Sequence, residues 1–129
     1  MRVAILQIAD RGVAEQERLQ LNVSADTNLS YYVVVDTVRS GSGIAPTPKH
    51  VYWFADTSVR AGDSVILYTR HGTNTSVARP DGKTNHFFYW GLPQAVWTRP
   101  TSCAVLLEVS EWMTSAAVPT PSSLKQTAL

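Results

Sequence analysis

The sequence has almost no cysteine, no strong net charge and no long hydrophobic run, and each absence excludes a class of protein. Cys103 is the only cysteine among 129 residues, so no internal disulfide can form, which is typical of a reducing compartment. The formal net charge is +1 and the basic residues are scattered, so charge alone gives no attraction to membranes or nucleic acid. The first apolar stretch is interrupted at Gln7 and Asp10, too early for a signal peptide or a membrane span. We therefore expect a soluble, cytoplasmic protein that makes no membrane contact.

Residue groups that carry out catalysis or hold a cofactor are also missing from the sequence. His50, His71, His86 and Cys103 stand at least 15 residues apart, whereas metal ligands recur at short spacings. Glycine motifs that position a nucleophilic serine, a phosphate or a dinucleotide do not occur. No pair of carboxylates stands in an arrangement suited to acid–base catalysis. The sequence thus predicts no enzyme activity, no cofactor and no metal.

What the chain does contain is the periodicity of β-strands. Leu19, Leu21 and Val23 alternate with polar neighbours, which is typical of a strand with one buried and one solvated face. Similar runs, separated by turns rich in Gly, Pro and Asn, predict seven strands at residues 3–8, 19–23, 31–38, 51–54, 64–69, 86–90 and 104–109. No segment shows a sustained helical stripe. The predicted fold class is all-β, an immunoglobulin-like two-sheet sandwich of about seven to nine strands.

The composition changes near the C-terminus. Residues 114–129 consist mostly of Ala, Ser, Thr and Pro and contain no aromatic side chain. Such a segment has too little apolar surface to offset its ordering entropy. We therefore expect a folded domain over residues 1–113, followed by a flexible tail that contributes nothing to folding.

Several motifs, taken in order, resemble the lamin-tail domain, an immunoglobulin-like module found on nuclear lamins and on many bacterial proteins. Its second strand, its Gly turn, its strand ending in Thr-Gly-x-Gly, and its Tyr-Trp-Gly and Val-Trp pairs have counterparts here. These segments are residues 17–24, 28–32, 54–62, 65–72, 89–91 and 96–97. Tyr31 and Tyr32 replace the usual Gly-Trp, and the closing Gly hairpin after Trp97 is missing, although Ala104 and Leu106 fit its strand. The resemblance spans about residues 3–112 and suggests a bacterial, stand-alone member of the family.

The resemblance implies a scaffold more than an activity, since lamin-tail domains tether larger proteins, nucleic acid or envelopes. We therefore expect a non-enzymatic interaction module. The strand phases and the matching family positions together predict a core of Ile5, Leu21, Val34, Leu67, Trp90, Trp97 and Leu106. Trp112 is expected to be the last anchoring core residue.

One candidate binding surface is the segment between the fifth and sixth predicted strands. Residues 70–85 form the longest connection and carry Arg70, His71, Arg79 and Lys83 against the single acid Asp81. Long loops on a rigid sandwich often carry recognition, and the alternative is an insertion whose charges only solvate it. A second possible function is that of a small nucleic-acid-binding protein, in which cations would converge on one edge and aromatic side chains would stack on bases. The cations in that hypothesis are Arg60, Arg70, Arg79, Lys83 and Arg99.

A second candidate surface comes from two strand segments that are apolar on both faces, at residues 51–54 and 87–90. One face of each strand would lie in the core and leave aromatic side chains on the other. An exposed aromatic surface indicates a homodimer or another protein partner. The predicted interface residues are Tyr52, Phe54, Phe88 and Tyr89. The alternative is that a loop or the N-terminal strand covers them.

Overall fold

A computed structural model describes residues 1–115, and they form a sandwich of β-sheets, which confirms the predicted fold class. All seven predicted strands are present, with ends that differ by at most two residues. They are β1 (Val3–Ala9), β2 (Arg18–Val23), β4 (Tyr32–Ser40), β6 (His50–Trp53), β8 (Ser64–Tyr68), β10 (Thr84–Tyr89) and β11 (Ser102–Glu108).

Four shorter strands were not predicted: three of them have only two residues, too few to show periodicity, and the fourth, Thr-Ser-Val-Ala, shows no apolar alternation. They are β3 (Thr27–Asn28), β5 (Gly43–Ile44), β7 (Ser58–Val59) and β9 (Thr75–Ala78). A single 3-10 turn, Leu29–Tyr31, follows β3, and the Asn28 side chain caps it by accepting the Ser30 N–H at 2.9 Å.

Two sheets face each other across the core. The larger sheet has the order β1-β2-β8-β10-β9, in which β8 and β10 run parallel and every other pair is antiparallel. In the smaller sheet, β4 lies at the centre, with β11 along one edge and β6 and β5 along the other. β3 and β7 form a separate two-stranded ribbon. The long strand β4 is therefore the central strand of the smaller sheet, and β5, β6 and β11 each pair with it.

The core matches the prediction except at its margins. Leu21, Val34, Leu67, Trp97 and Leu106 are buried, and Trp90 is partly buried against them. Ile5 was predicted in the core but keeps 39% of its surface exposed. It pairs with the buried Leu21 and so faces inward, but β1 is an edge strand without a neighbour on its far side.

Trp112 was predicted to anchor the core, and the structure contradicts that prediction more clearly than it does for Ile5. The ring is 69% exposed and does not anchor the core. It lies beyond the end of β11, where no facing strand can cover it. The predicted role of the tail concerns residues 116–129, which lie outside the described residues, as does most of the predicted 114–129 segment.

Candidate interaction surfaces

Residues 70–85, predicted to form a recognition loop, are largely a β-hairpin. β9 pairs antiparallel with the first part of β10, and residues 79–83 make the turn, with Arg79 N–H donating to the Lys83 carbonyl at 2.8 Å. The loop prediction was wrong because β9 has only four residues, Thr-Ser-Val-Ala, and these show no apolar alternation that would reveal a strand. The segment is therefore more rigid than a free loop would be.

Arg79 in this hairpin is used to hold the turn together. Its guanidinium donates to the Asp81 carboxylate, to Ser64 Oγ at 2.9 Å, to Asn85 Oδ1 at 3.1 Å and to the Gly62 carbonyl at 2.8 Å. The Arg79 hydrogen bond, followed by the backbone N–H of Lys83, lowers the pKa of Asp81 below its usual value. Arg79 therefore ties the hairpin to the turn before β8.

Arg70 lies at the opposite end of β8 from Arg79. Its guanidinium is 4.8 Å from the Tyr68 ring and 5.1 Å from the Tyr89 ring, and its Nε donates to the Glu15 carbonyl at 2.9 Å. The two tyrosine rings are stacked on each other, with centroids 5.3 Å apart. The structure thus does not bring the predicted cations to one edge.

The remaining predicted cationic residues follow the same division, except Arg99, which lies in the turn before β11. His71 adjoins Arg70 and is exposed. Lys83 lies beside the turn that follows Arg60, and its side chain passes so close to Gly62 that a Cβ there would lie 2.8 Å from its Cε. Arg60, Arg79 and Lys83 are therefore at one end of β8, and Arg70 and His71 at the other.

Two of the four predicted aromatic interface residues belong to the core instead. Phe54 and Phe88 are buried and pack edge to face, with centroids 5.0 Å apart, so they belong to the core. Tyr52 packs against both rings, and its burial raises the pKa of its hydroxyl. Tyr89 faces outward but lies on the larger sheet, in the stack with Tyr68. These four residues do not form a common surface.

The opposite face of the smaller sheet is apolar; its margins are exposed, whereas Val33 and Val35 at its centre are each only 7% exposed. Because paired residues lie on the same side of a sheet, the register places the neighbours of the buried Val34 and Leu106 on the outside. The outward positions are Val33 and Val35 on β4, Val51 and Trp53 on β6, and Val105 and Leu107 on β11. We call these six residues the apolar face. Val51, Trp53 and Leu107 are 58%, 47% and 44% exposed.

An aromatic depression continues the apolar face at one end. Tyr31, Trp53 and Trp112 line it together with Val109. The Trp53 and Trp112 rings meet edge to face with centroids 5.7 Å apart, and Trp53 Nε1 donates to the Ser30 carbonyl at 2.7 Å. The depression is thus held in shape by one hydrogen bond and one ring contact.

Glu17 is the most deeply buried charged residue in the part of the chain that the structure describes, and its position in the motif of residues 17–24 did not predict a structural role. Its carboxylate accepts from the N–H groups of Gly12 at 2.8 Å, Val96 at 2.8 Å and Trp97 at 3.2 Å, and from Thr69 Oγ1 at 2.7 Å. These bonds join three segments that are distant in sequence. Four donors to one buried carboxylate satisfy it fully, so its role is structural.

Asp63 and His86 form a second buried polar group. His86 Nε2 donates to the Asp63 carboxylate at 3.0 Å, and its Nδ1 accepts the Ser76 hydroxyl at 2.9 Å. Burial would raise the pKa of Asp63, but the bonds from the Arg60 N–H, His86 and the Thr84 N–H outweigh burial and lower it. Serine, histidine and aspartate stand here in the order of a hydrolytic triad, but the aspartate is on Nε2 and the serine on Nδ1, the reverse of the triad, and the imidazole is buried. We assign this group to the attachment of the hairpin.

No family model matches the sequence, and no curated protein matches it either. The lamin-tail resemblance therefore stays a prediction. Among residues 1–115, no three His, Cys, Asp or Glu side chains come together in a group that could hold a metal ion. Over the same range, no helix has the length and apolarity needed to cross a membrane.

Proposed function

We propose that this chain is a non-enzymatic interaction domain that associates with a second copy of itself through the apolar face. The observation that carries the proposal is the row of outward Val, Trp and Leu side chains across all three main strands of the smaller sheet. Together with the aromatic depression, the exposed members Val51, Trp53 and Leu107 make a clustered apolar surface of the kind that marks an interaction site.

A second copy suits this surface for two reasons. None of the six positions carries a charge, so the partner surface must be apolar rather than oppositely charged. The face of a β-sheet also packs readily on an identical face about a twofold axis, with interdigitating side chains as between the sheets of a sandwich. The resemblance to lamin-tail domains agrees with an interaction role but not with any particular partner.

Light scattering with charge-inserting variants tests the proposal. Val51→Glu should weaken dimerisation by at least about 100-fold, because a twofold interface buries the new charge twice. Val77→Glu is the matched control, since Val77 is a similarly exposed strand valine that lies on the larger sheet. A wild-type chain that stays monomeric at high micromolar concentration would contradict self-association. Equal dimerisation of both variants would place the interface elsewhere.

Nucleic-acid binding is the alternative function, and the arginine–tyrosine cluster on the outer face of the larger sheet favours it. Arg18 lies 5.8 Å from the Tyr68 ring, which also stacks on Tyr89 and under Arg70. Aromatic rings beside cations are the usual platform for single-stranded nucleic acid. Binding of a labelled oligonucleotide should then weaken steeply between low and physiological salt, and Tyr89→Ala should reduce it. Salt-independent or undetectable binding would exclude this function.

A further inference from the structure

A cleft between the smaller sheet and the connection from β10 to β11 has no role in the interaction described above. It has a volume of about 370 Å³ and lies between the middle of β4, the start of β6 and the connection from β10 to β11. This volume is within the range of small-molecule sites, at its lower end. Residues that line it include Asp36, Lys49, His50, Gln94, Thr98 and Arg99. None of the six residues of the apolar face lines it.

Asp36 and His50 fix the inner wall of the cleft. The buried Asp36 carboxylate accepts the backbone N–H of His50 at 2.6 Å and lies 3.1 Å from its ring Nδ1. Because a carboxylate can only accept, Nδ1 carries the hydrogen and the ring is held in one orientation. Nε2 has no hydrogen-bond partner within residues 1–115. The imidazole therefore presents its second nitrogen for a further contact.

Two cations stand at the same cleft without an acidic partner. In the part of the chain that the structure describes, the Lys49 and Arg99 head groups make no hydrogen bond or salt bridge. The turn that carries Arg99 is held firmly, since Arg11 donates to the Arg99 and Ser102 carbonyls at 3.0 and 2.7 Å. Asp36 is the only acid that lines the cleft, and it already faces His50. The cleft thus carries an excess of positive charge on a fixed frame.

We propose that this cleft binds a small organic anion, with its carboxylate or phosphate groups held by Lys49 and Arg99 and its body against His50. Arginine grips a carboxylate or phosphate with two parallel hydrogen bonds, and lysine adds a mobile point charge. The Asp36–His50 pair supplies one further polar contact at the inner wall. The site acts independently of the apolar face, so its ligand is not the partner proposed above.

Titration with citrate and with inorganic phosphate, followed by tryptophan fluorescence, tests this site. Trp90 is a suitable reporter, because its ring centroid lies 6.2 Å from that of His50. Lys49→Ala and Arg99→Ala should each weaken binding about tenfold or more, the loss expected for one charge-assisted hydrogen bond. Arg60→Ala and Lys83→Ala remove the same charges outside the cleft and should leave binding unchanged. Circular dichroism and melting curves confirm that each variant is folded.

The outcomes separate the proposal from general ionic attraction. Saturable binding that falls only in the two cleft variants supports the site, and a preference for citrate or for phosphate identifies the ligand class. An equal loss in the Arg60→Ala control, or no saturable binding up to about 10 mM, overturns it. The Val51→Glu variant should bind the anion as the wild type does, so failure of the dimer proposal would not affect this result.

Discussion

Polar side chains have different roles on the two sheets of this sandwich. On the larger sheet, Arg18 pairs with Asp10, Arg70 lies over two tyrosine rings and Arg79 holds a turn. On the smaller sheet, the outward face is apolar. The cations Lys49 and Arg99, which line the cleft at this sheet, lack acidic partners among the described residues. Polar side chains of the larger sheet thus stabilise the fold, whereas the smaller sheet leaves groups available for contact.

The two aspartate–histidine pairs show the same contrast at closer range. The His86 side chain is 8% exposed and uses both ring nitrogens, whereas the His50 side chain is 40% exposed and uses one. Both aspartates are buried. A buried aspartate beside a histidine is therefore structural in one sheet and, by our proposal, part of a binding site in the other.

The largest expected effect is the loss of Glu17 from the larger sheet. Glu17→Ala leaves the buried Trp97 N–H, the buried Thr69 hydroxyl and two part-buried N–H groups without an acceptor, and should cost at least about 3 kcal/mol of unfolding free energy. Urea denaturation followed by tryptophan fluorescence measures it. Glu15→Ala, an exposed neighbour, should stay within about 0.5 kcal/mol of wild type. Similar midpoints for the two variants would mean that the Glu17 network does not stabilise the fold.

Asp63→Asn should have the next largest effect, about 2 kcal/mol at neutral pH. The amide has one acceptor oxygen, whereas Asp63 accepts from Arg60, Thr84 and His86. Asp56→Asn is the control, because that exposed carboxylate accepts one hydrogen bond, from Asn28, which an amide oxygen can also accept. Urea midpoints that are equal in the two variants would contradict a structural role for the Asp63–His86 pair.

The same variant gives a pH test. Because the pKa of Asp63 in the fold lies below its ordinary value of 3.8, the ionised carboxylate stabilises the fold above that pH. This contribution is lost as the pH falls from about 3.8 through the lowered pKa. Wild-type unfolding free energy should therefore drop in that window, and Asp63→Asn should show a smaller drop. Parallel pH profiles would exclude Asp63 as the source.

Sequence patterns predicted the strands well and the surfaces poorly, for a physical reason. Alternation marks a strand and one buried face, as at Leu19 to Val23, but residues 51–54 are apolar on both faces and do not reveal which face is buried. That phase is set by the pairing of β6 with β4, a contact between distant segments. The cleft likewise depends on the turn that brings Arg99 towards His50, which no local motif encodes.

A smaller loss of unfolding free energy is expected for Arg79→Ala. This variant tests whether Arg79 stabilises the hairpin or is a free cation on the larger sheet. Arg79→Ala removes hydrogen bonds to Ser64, Asn85 and Gly62. Because these bonds are partly exposed, their loss should lower the unfolding free energy by about 1–2 kcal/mol. The melting temperature should fall by several degrees, at about 4 °C per kcal/mol, the value at which the ranges for small and larger domains meet. Arg60→Ala is the control, and its melting temperature should be that of wild type. No fall in Arg79→Ala would return the hairpin to the list of candidate binding surfaces.

The smallest expected effect on stability is at the aromatic edge of the smaller sheet. Trp112→Ala should cost only about 0.5–1.5 kcal/mol, the contribution of one edge-to-face ring pair, because the ring is mostly exposed. Trp97→Ala, which removes a fully buried ring, should cost about 3–5 kcal/mol. If the apolar face dimerises, Trp112→Ala should also raise the dimer dissociation constant, whereas Val77→Glu should not. A loss of stability as large as that of Trp97→Ala would mean that Trp112 is a core anchor. The smaller sheet would then lack an open aromatic edge, and the two sheets would differ less in the groups that they leave available for contact.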